Sequence, residues 1–293
     1  VRQDDAEGKL FEMRIFHSIA ELRSELRSAG PIALVPTMGN LHEGHLSLLR
    51  IAREHAAQTK GGLVAASVFV NPLQFAPHED YAGYPRTFER DCELLAREGC
   101  DIVFAPSVAE MYPAPQSVFV EPPATLAGIL EGAVRPGFFR GVCTVVLKLL
   151  NVLTPRVAVF GRKDYQQWLI VRRMVRELSL DIEIIAGETV RDSSGLALSS
   201  RNGYLSAVER REAAQLHQHL LAITREVASG RSDFAVIEAA AMQSLASRGW
   251  QPDYVSVRRR CDLSVPAAYA PGELVVLGAA RLGKTRLIDN LEL

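Results

Sequence analysis

Ile32 to Leu49, IALVPTMGNLHEGHLSLL, decides how the rest of the chain is read. A compact apolar run, Ile32-Ala33-Leu34-Val35, stops at Pro36-Thr37-Met38-Gly39, and from near Gly44 an amphipathic pattern carries Leu46, Leu48, Leu49 and Ile51. The pattern predicts strand, turn, helix. His42 and His45 fall where the first helical turn exposes unpaired backbone N–H groups and the positive end of the helix dipole. Such a terminus attracts anions, phosphate above all. Two imidazoles there add donors that strengthen as charge builds on a phosphoryl group. The same residues also fit an ordinary strand-to-helix turn with two solvated histidines, and the motif by itself does not choose.

Outward from this stretch the alternation repeats. Upstream, Ile19 to Arg27 reads as a helix closed by Gly30-Pro31. Downstream come an apolar strand, Leu63 to Val70, ended by Asn71-Pro72, then a helix over Pro85 to Glu98 with Thr87 as N-cap, and a strand over Asp101 to Ala105. Arg135-Pro136-Gly137 marks a loop, and Val142 to Leu153 carries the apolar stripe of a helix laid on a sheet. Val157 to Phe160 is a further buried strand, turning at Gly161-Arg162-Lys163-Asp164 into a helix over Tyr165 to Leu178, and Ile182 to Ile185 closes the series. Strand-helix alternation of this kind predicts an α/β domain with a parallel sheet. Past Thr189 the character changes: helices over Ser206 to Ala228 and Phe234 to Ser247, strands over Asp253 to Val257 and Glu273 to Leu277. The expected organisation is a polar extension without fixed structure over residues 1–12, a Rossmann-like domain over 13–187, and a smaller C-terminal α+β lid over 188–293.

Composition narrows the function. The chain has 293 residues, 48% hydrophobic, enough for two cores, and 33 basic against 34 acidic side chains leave a net charge of -1. No global field draws in nucleic acid or an anionic membrane, so any phosphate site must be local. Cys92, Cys100, Cys143 and Cys261 lack C-x-x-C spacing, which speaks against zinc, and the reading is a soluble protein of a reducing cytoplasm.

Gly278 to Thr285, GAARLGKT, satisfies the phosphate-loop expression G-x-x-x-x-G-K-T. That motif needs a long following helix, and Thr285 to Asn290 reads instead as a closing strand, so a hairpin is expected. Gly161 to Gln167 sits at the carboxyl end of a strand, where open α/β sheets bind ligands. Lys163 there suits phosphate, Asp164 suits a ribose hydroxyl or a helix cap, and Asp164 and Gln167 share a helix face. Arg191 to Arg201, RDSSGLALSSR, offers Ser199, Ser200 and Arg201 to a phosphate chain, or serves as a plain linker. Gln74, after the Leu63 to Val70 strand, has both a donor and an acceptor for a hydroxy acid.

Together VPTMGNLHEGH, SVFVNPLQF, FGRKDYQQ, LALSSRN and the closing RLGKTRLIDN resemble the pantothenate synthetases, in that family's order and from about Met13 to Leu293. The family is similar to the HIGH-type nucleotidyltransferases. The resemblance implies a homodimer that condenses pantoate with β-alanine, using ATP and Mg²⁺, through pantoyl adenylate. It implies ATP contacts at Met38, Gly39, Asn40, Leu41, His42, Glu43, Gly44 and His45, with His42 and His45 near the phosphates. Lys163, with Arg162 beside it, falls at phosphate, Gly161 and Asp164 at the nucleoside, Val190 and Leu198 at adenine, and Ser199, Ser200 and Arg201 on a mobile phosphate loop. Gln74 and Gln167 fall at pantoate, and Asp91 at the metal, otherwise bridged through phosphates and water. The family labels the second histidine a proton donor, whereas a departing pyrophosphate needs charge neutralisation more than a proton. Arg162 and Phe138 depart from the family's common glutamate and histidine.

Two rivals stand beside this reading. A nucleotidyltransferase that stops after moving AMP to a phosphorylated acceptor needs a further basic site, and the neutral Gln74 and Gln167 favour a small hydroxy acid. A nucleotide-sensing module has little use for His45, Lys163 and Arg201 around one ATP.

Overall fold

A computed structural model describes residues 2–4, 10–76, 79 and 81–293. Two compact units emerge: Val1–Pro123 with Arg135–Arg162 and Ile170–Gly187, and Ala124–Val134 with Lys163–Leu169 and Glu188–Leu293. The chain passes from one to the other between Gly187 and Glu188, but two short segments from before that boundary group with the second unit. Of residues 1–12, β1 (Arg2–Asp4) and β2 (Leu10–Glu12) pair antiparallel, and residues 1 and 5–9 lie outside the described residues.

The first unit is built on β3 (Arg14–Phe16), β4 (Ile32–Thr37), β5 (Leu63–Val68), β6 (Ile102–Phe104), β7 (Val157–Gly161) and β8 (Glu183–Gly187). They form one parallel sheet in the order β3-β6-β5-β4-β7-β8. Its central strands are apolar throughout because both faces are covered: Ile32 to Val35 are all buried. On one face lies α2 (Glu43–Ala57), whose Leu46, Leu49, Ala52 and Ala56 meet Ala33, Val35, Val64 and Val103. The other helices of the first half are α1 (Ile19–Leu26), capped by the Ser18 hydroxyl, and α3 (Phe88–Arg97). Three four-residue helices follow, α4 (Val108–Met111) and, grouped with the second unit, α5 (Ala124–Ala127) and α6 (Glu131–Val134). Next comes α7 (Phe138–Leu153), which starts one turn before its apolar stripe and is buried at Phe139 and from Gly141 to Val146. α8 (Tyr165–Glu177) completes the alternation.

β4 connects onward to β5 on one side, and β7 to β8 on the other. The point where these directions part, between the carboxyl ends of β4 and β7, is where open α/β sheets bind ligands. Gly187 lets α2 reach it. A Cβ on Gly187 would lie 2.2 Å from Leu48 Cδ2, so the first turns of α2 settle against the end of β8, while Leu48 meets Gly161 at the end of β7 at ordinary contact distance.

In the second unit β9 (Gln251–Arg259), β10 (Leu274–Leu282) and β11 (Thr285–Glu292) make an antiparallel sheet with β10 in the middle. α9 (Ala207–Ala228) and α10 (Phe234–Ser247) cover it through Leu216, Leu220, Ile223, Ile237 and Leu245. β10 is longer than its apolar run suggests, continuing through Gly278-Ala279-Ala280, where a Cβ on Gly278 would stand 3.1 Å from Leu216. The phosphate-loop expression therefore lies in a β-hairpin. Leu282 pairs with Thr285 across a two-residue turn, with Gly283 at φ +57°, as a type II′ turn requires. Among the described residues no helix is long and apolar enough to cross a membrane.

Candidate active site

The loop from β4 to α2 is braced from within. Thr37 Oγ1 donates to the Ser67 carbonyl (2.7 Å) and accepts from Gly39 N–H (3.2 Å). Gly39 and Asn40 then turn through positive φ, +79° and +51°. Asp91, on α3, holds the apex: Oδ2 accepts the Asn40 N–H (2.9 Å) and the Thr87 hydroxyl (3.1 Å), and Oδ1 the Leu41 N–H (2.8 Å). One expectation changes here. Thr87 stands at the N-cap position but spends its hydroxyl on Asp91, making no side-chain cap bond. Asp91 is fully buried, and both of its oxygens accept hydrogen bonds from the loop. Among the described residues no group of three or more His, Cys, Asp or Glu side chains is arranged for a metal.

His42 and His45 form a capping box. His42 Nδ1 accepts from Gly44 N–H (3.1 Å), and the His42 N–H donates to His45 Nδ1 (3.3 Å). The rings lie 4.1 Å apart at 41°. Because each Nδ1 faces a backbone donor, the neutral form of each ring carries its proton on Nε2. Glu43, in the first turn, pairs with Arg50, which also grips Glu98 Oε1 at 2.5 Å.

Gln74 lies on the same carboxyl edge of the sheet, in a 3₁₀ turn over Pro72–Gln74 after β5, and is 9% exposed. Its Oε1 accepts from Asn71 Nδ2 (2.9 Å), and its backbone carbonyl from Arg135 (3.0 Å). Arg135 also pairs with Glu79 (2.7 Å) and lies over the Phe138 ring, 3.7 Å from its centroid, so the aromatic departure at Phe138 supports that cation. The sequence marks Asn71 and Arg135 only as strand-end and loop residues.

The second unit holds the remaining residues. Lys163 and Asp164, in a 3₁₀ turn over Arg162–Asp164, have Nζ and Oδ2 4.0 Å apart, and the Lys163 carbonyl accepts from Asn290 Nδ2 (2.9 Å). Gln167 follows Gln166, whose amide bridges the carbonyls of Leu126 and Ile129 and the N–H of Glu131. Glu131 accepts both Arg286 Nη2 (2.6 Å) and the Tyr254 hydroxyl (2.9 Å), which fastens α6 to the β9–β11 sheet. Val190 and Leu198 are backbone neighbours, Leu198 N–H donating to the Val190 carbonyl (2.9 Å), beside a bridge of Arg191 to Ala197. Ser199 caps the 3₁₀ helix Ser200–Tyr204 through Arg201 N–H (3.2 Å).

At the base of that hairpin Arg191 grips Asp289 with both terminal nitrogens (2.6 and 2.8 Å), and a His217 ring nitrogen stands 3.5 Å from the same carboxylate. Burial alone would push the Asp289 carboxyl up, but His217, Arg191 and the Asn290 N–H together hold it below the ordinary carboxylate range. The His42–His45 loop, Asp91, Gln74, Gly161 and Arg162 thus belong to the first unit, and Lys163, Asp164, Gln167, Val190 and Leu198 to Arg201 to the second.

The model of the family described as Pantoate-beta-alanine ligase matches residues 14–292. The chain belongs to the pantoate-beta-alanine ligase family. A pantothenate synthetase of Leptothrix cholodnii is 58% identical over 287 residues, covering 96% of this chain and all of the relative. The crystal structure of the Thermus thermophilus pantothenate synthetase superposes with a TM-score of 0.88 at 44% identity, covering 96% of this chain and 99% of that one. A Francisella tularensis pantoate-beta-alanine ligase, crystallised with "Beta-gamma ATP" and β-alanine, superposes with a TM-score of 0.80 at 33% identity, covering 96% and 98%. As a pantoate-beta-alanine ligase the chain is an ATP-binding enzyme of pantothenate biosynthesis, joining pantoate to β-alanine with release of AMP and pyrophosphate.

Proposed function

We propose how this chain's residues divide that reaction. The pantoate carboxylate attacks the α-phosphorus of ATP in line, and the bond to the bridging oxygen breaks, releasing pyrophosphate. The β-alanine amine then attacks the acyl carbon of pantoyl adenylate, expelling AMP. No covalent enzyme intermediate is needed, so positioning and charge stabilisation carry the catalysis.

On this reading Met38 to His45 receives the triphosphate. The N-terminal N–H groups of α2 and the Nε2 sides of His42 and His45 face charge that grows as pyrophosphate leaves. Lys163, Ser199, Ser200 and Arg201 neutralise the phosphate chain. Gly161 and Asp164 take the nucleoside end, Val190 and Leu198 the adenine, Gln74 and Gln167 pantoate. Residues 188–293 act as a lid that keeps water from the adenylate. Magnesium arrives on the ATP phosphates with its water, since Asp91 is already committed to the loop. The enzyme works as a homodimer in the cytoplasm, as the family resemblance implies.

The observation that most supports this reading is the histidine capping box at the sheet's switch point, which aims a helix N-terminus and two imidazoles at one place. The test is exchange of labelled pyrophosphate into ATP. Exchange that needs pantoate but not β-alanine, with AMP accumulating only when all three substrates are present, supports the adenylate. Exchange without pantoate, or none with it, refutes the proposal. Light scattering on a sizing column checks the dimer.

A further inference from the structure

Hydrogen bonding around Gln74 determines which end of its amide faces a ligand. Asn71 is 1% exposed, and all its side-chain bonds are identified. Oδ1 accepts the Leu73 N–H (3.3 Å) and the Tyr112 hydroxyl (2.8 Å), and Nδ2 donates to the Gly141 carbonyl (3.2 Å) and to Gln74 Oε1 (2.9 Å). A backbone N–H can only donate and a backbone carbonyl only accept, so Leu73 and Gly141 orient the Asn71 amide without help from any side chain. Its second N–H must then meet an oxygen. That oxygen is Gln74 Oε1, which leaves Nε2 as the end that Asn71 does not hold.

Tyr112 completes the lock. Its hydroxyl faces an acceptor and therefore donates, and burial pushes the phenol's pKa up, so the proton stays through the neutral range. The ring is held by Lys148, whose Nζ lies 4.6 Å from its centroid. Close approach fixes the backbone as well: a Cβ on Gly141 would stand 2.1 Å from the Leu73 carbonyl oxygen.

We propose that Tyr112 and Asn71 are positioning residues that confine Gln74 to donating through Nε2, so that the acid bound there is selected by an acceptor oxygen. The inference rests on the assignment of Gln74 to pantoate made above. Gln74→Glu would offer an anionic acceptor in place of the donor. Asn71→Asp removes the N–H that holds Oε1, so the Gln74 amide turns to donate inward and its carbonyl faces the acid.

The experiment is a steady-state comparison of Q74A, Q74E, N71D and Y112F, with KM for pantoate and for ATP, kcat, and the thermal midpoint of each. Q74E and N71D should raise pantoate KM on the order of 10- to 100-fold, the cost of a buried polar group left unmatched. Y112F keeps the ring but loses the hydroxyl, and should raise it about 3- to 10-fold. ATP KM should stay within about twofold throughout, a split that general loosening of the fold would not produce. If Q74A raises pantoate KM while N71D and Y112F leave it unchanged, the lock is wrong and the Gln74 assignment survives. If Q74A itself leaves pantoate KM unchanged, the assignment falls. Should N71D not fold, Y112F decides alone.

Discussion

The His42 backbone N–H donates to Nδ1 of His45 while His42 Nδ1 accepts from Gly44, so both imidazoles are tied to the helix start by the same ring position. Their δ nitrogens hold the helix start, and on the proposed reading their ε nitrogens serve the chemistry. The two jobs can be separated by substitution. In His45→Asn the amide oxygen can occupy the place of Nδ1 and keep the cap, so calorimetry should show a thermal midpoint close to wild type. The reach of Nε2 is lost, and kcat should fall on the order of 10²- to 10³-fold, as for other charge-stabilising donors. His42→Ala removes a cap worth about 0.5–2 kcal/mol and should lower the midpoint as well. Near-normal turnover in His45→Asn would end the catalytic reading of that ring.

Asp91→Ala leaves the N–H groups of Asn40 and Leu41 without their acceptor, at a cost of about 1–3 kcal/mol each. The expected result is a lower thermal midpoint and weaker ATP binding, with the magnesium dependence at saturating ATP unchanged. A magnesium titration shifted to higher concentration would restore the metal role that the hydrogen bonds argue against.

Asp289 supplies a pH dependence. Its folded pKa is depressed, so its contribution is complete above the unfolded value, about 3.9, and is lost as pH falls through the folded value. Breaking a buried pair of this kind costs about 3–5 kcal/mol. Asp289→Asn should therefore be clearly less stable than wild type at pH 6 to 7. The gap should close as acid protonates the native carboxyl below about pH 4. Denaturant unfolding at stepped pH reads this directly, and a gap that widens in acid would contradict it.

Lys163 and Lys284 make a matched pair of tests. Lys284 sits in the hairpin turn between β10 and β11, so Lys284→Ala should leave ATP KM and kcat unchanged. Lys163→Ala should cost at least about 100-fold in kcat/KM for ATP if it carries the phosphate charge assigned to it. Loss of ATP affinity in the Lys284 variant would revive the phosphate-loop expression.

The legible parts of this molecule are those whose information is local. β4 and α2 declare themselves because a strand covered on both faces is continuously apolar and the helix after it is striped. The hidden parts depend on partners far away in the chain. Asp91 reads as an ordinary acid in a helix's first turn, and only the fold brings it to Asn40, 51 residues earlier. Glu131 shows no periodicity around it, and its meaning comes from Arg286, 155 residues on. β3 is three residues at a sheet edge, too short for a pattern, and β10 runs on through Gly278-Ala279-Ala280, residues of low strand propensity held there by pairing on both sides.

Neighbouring residues Asp289 and Asn290 hold two separate pieces, Asp289 the Arg191 side chain and Asn290 the carbonyl of Lys163. β11 therefore works as a drawstring on both. On the proposed assignment of Lys163 to phosphate, a substitution that frays β11 at Asn290 should weaken ATP handling without touching the nucleotide site directly.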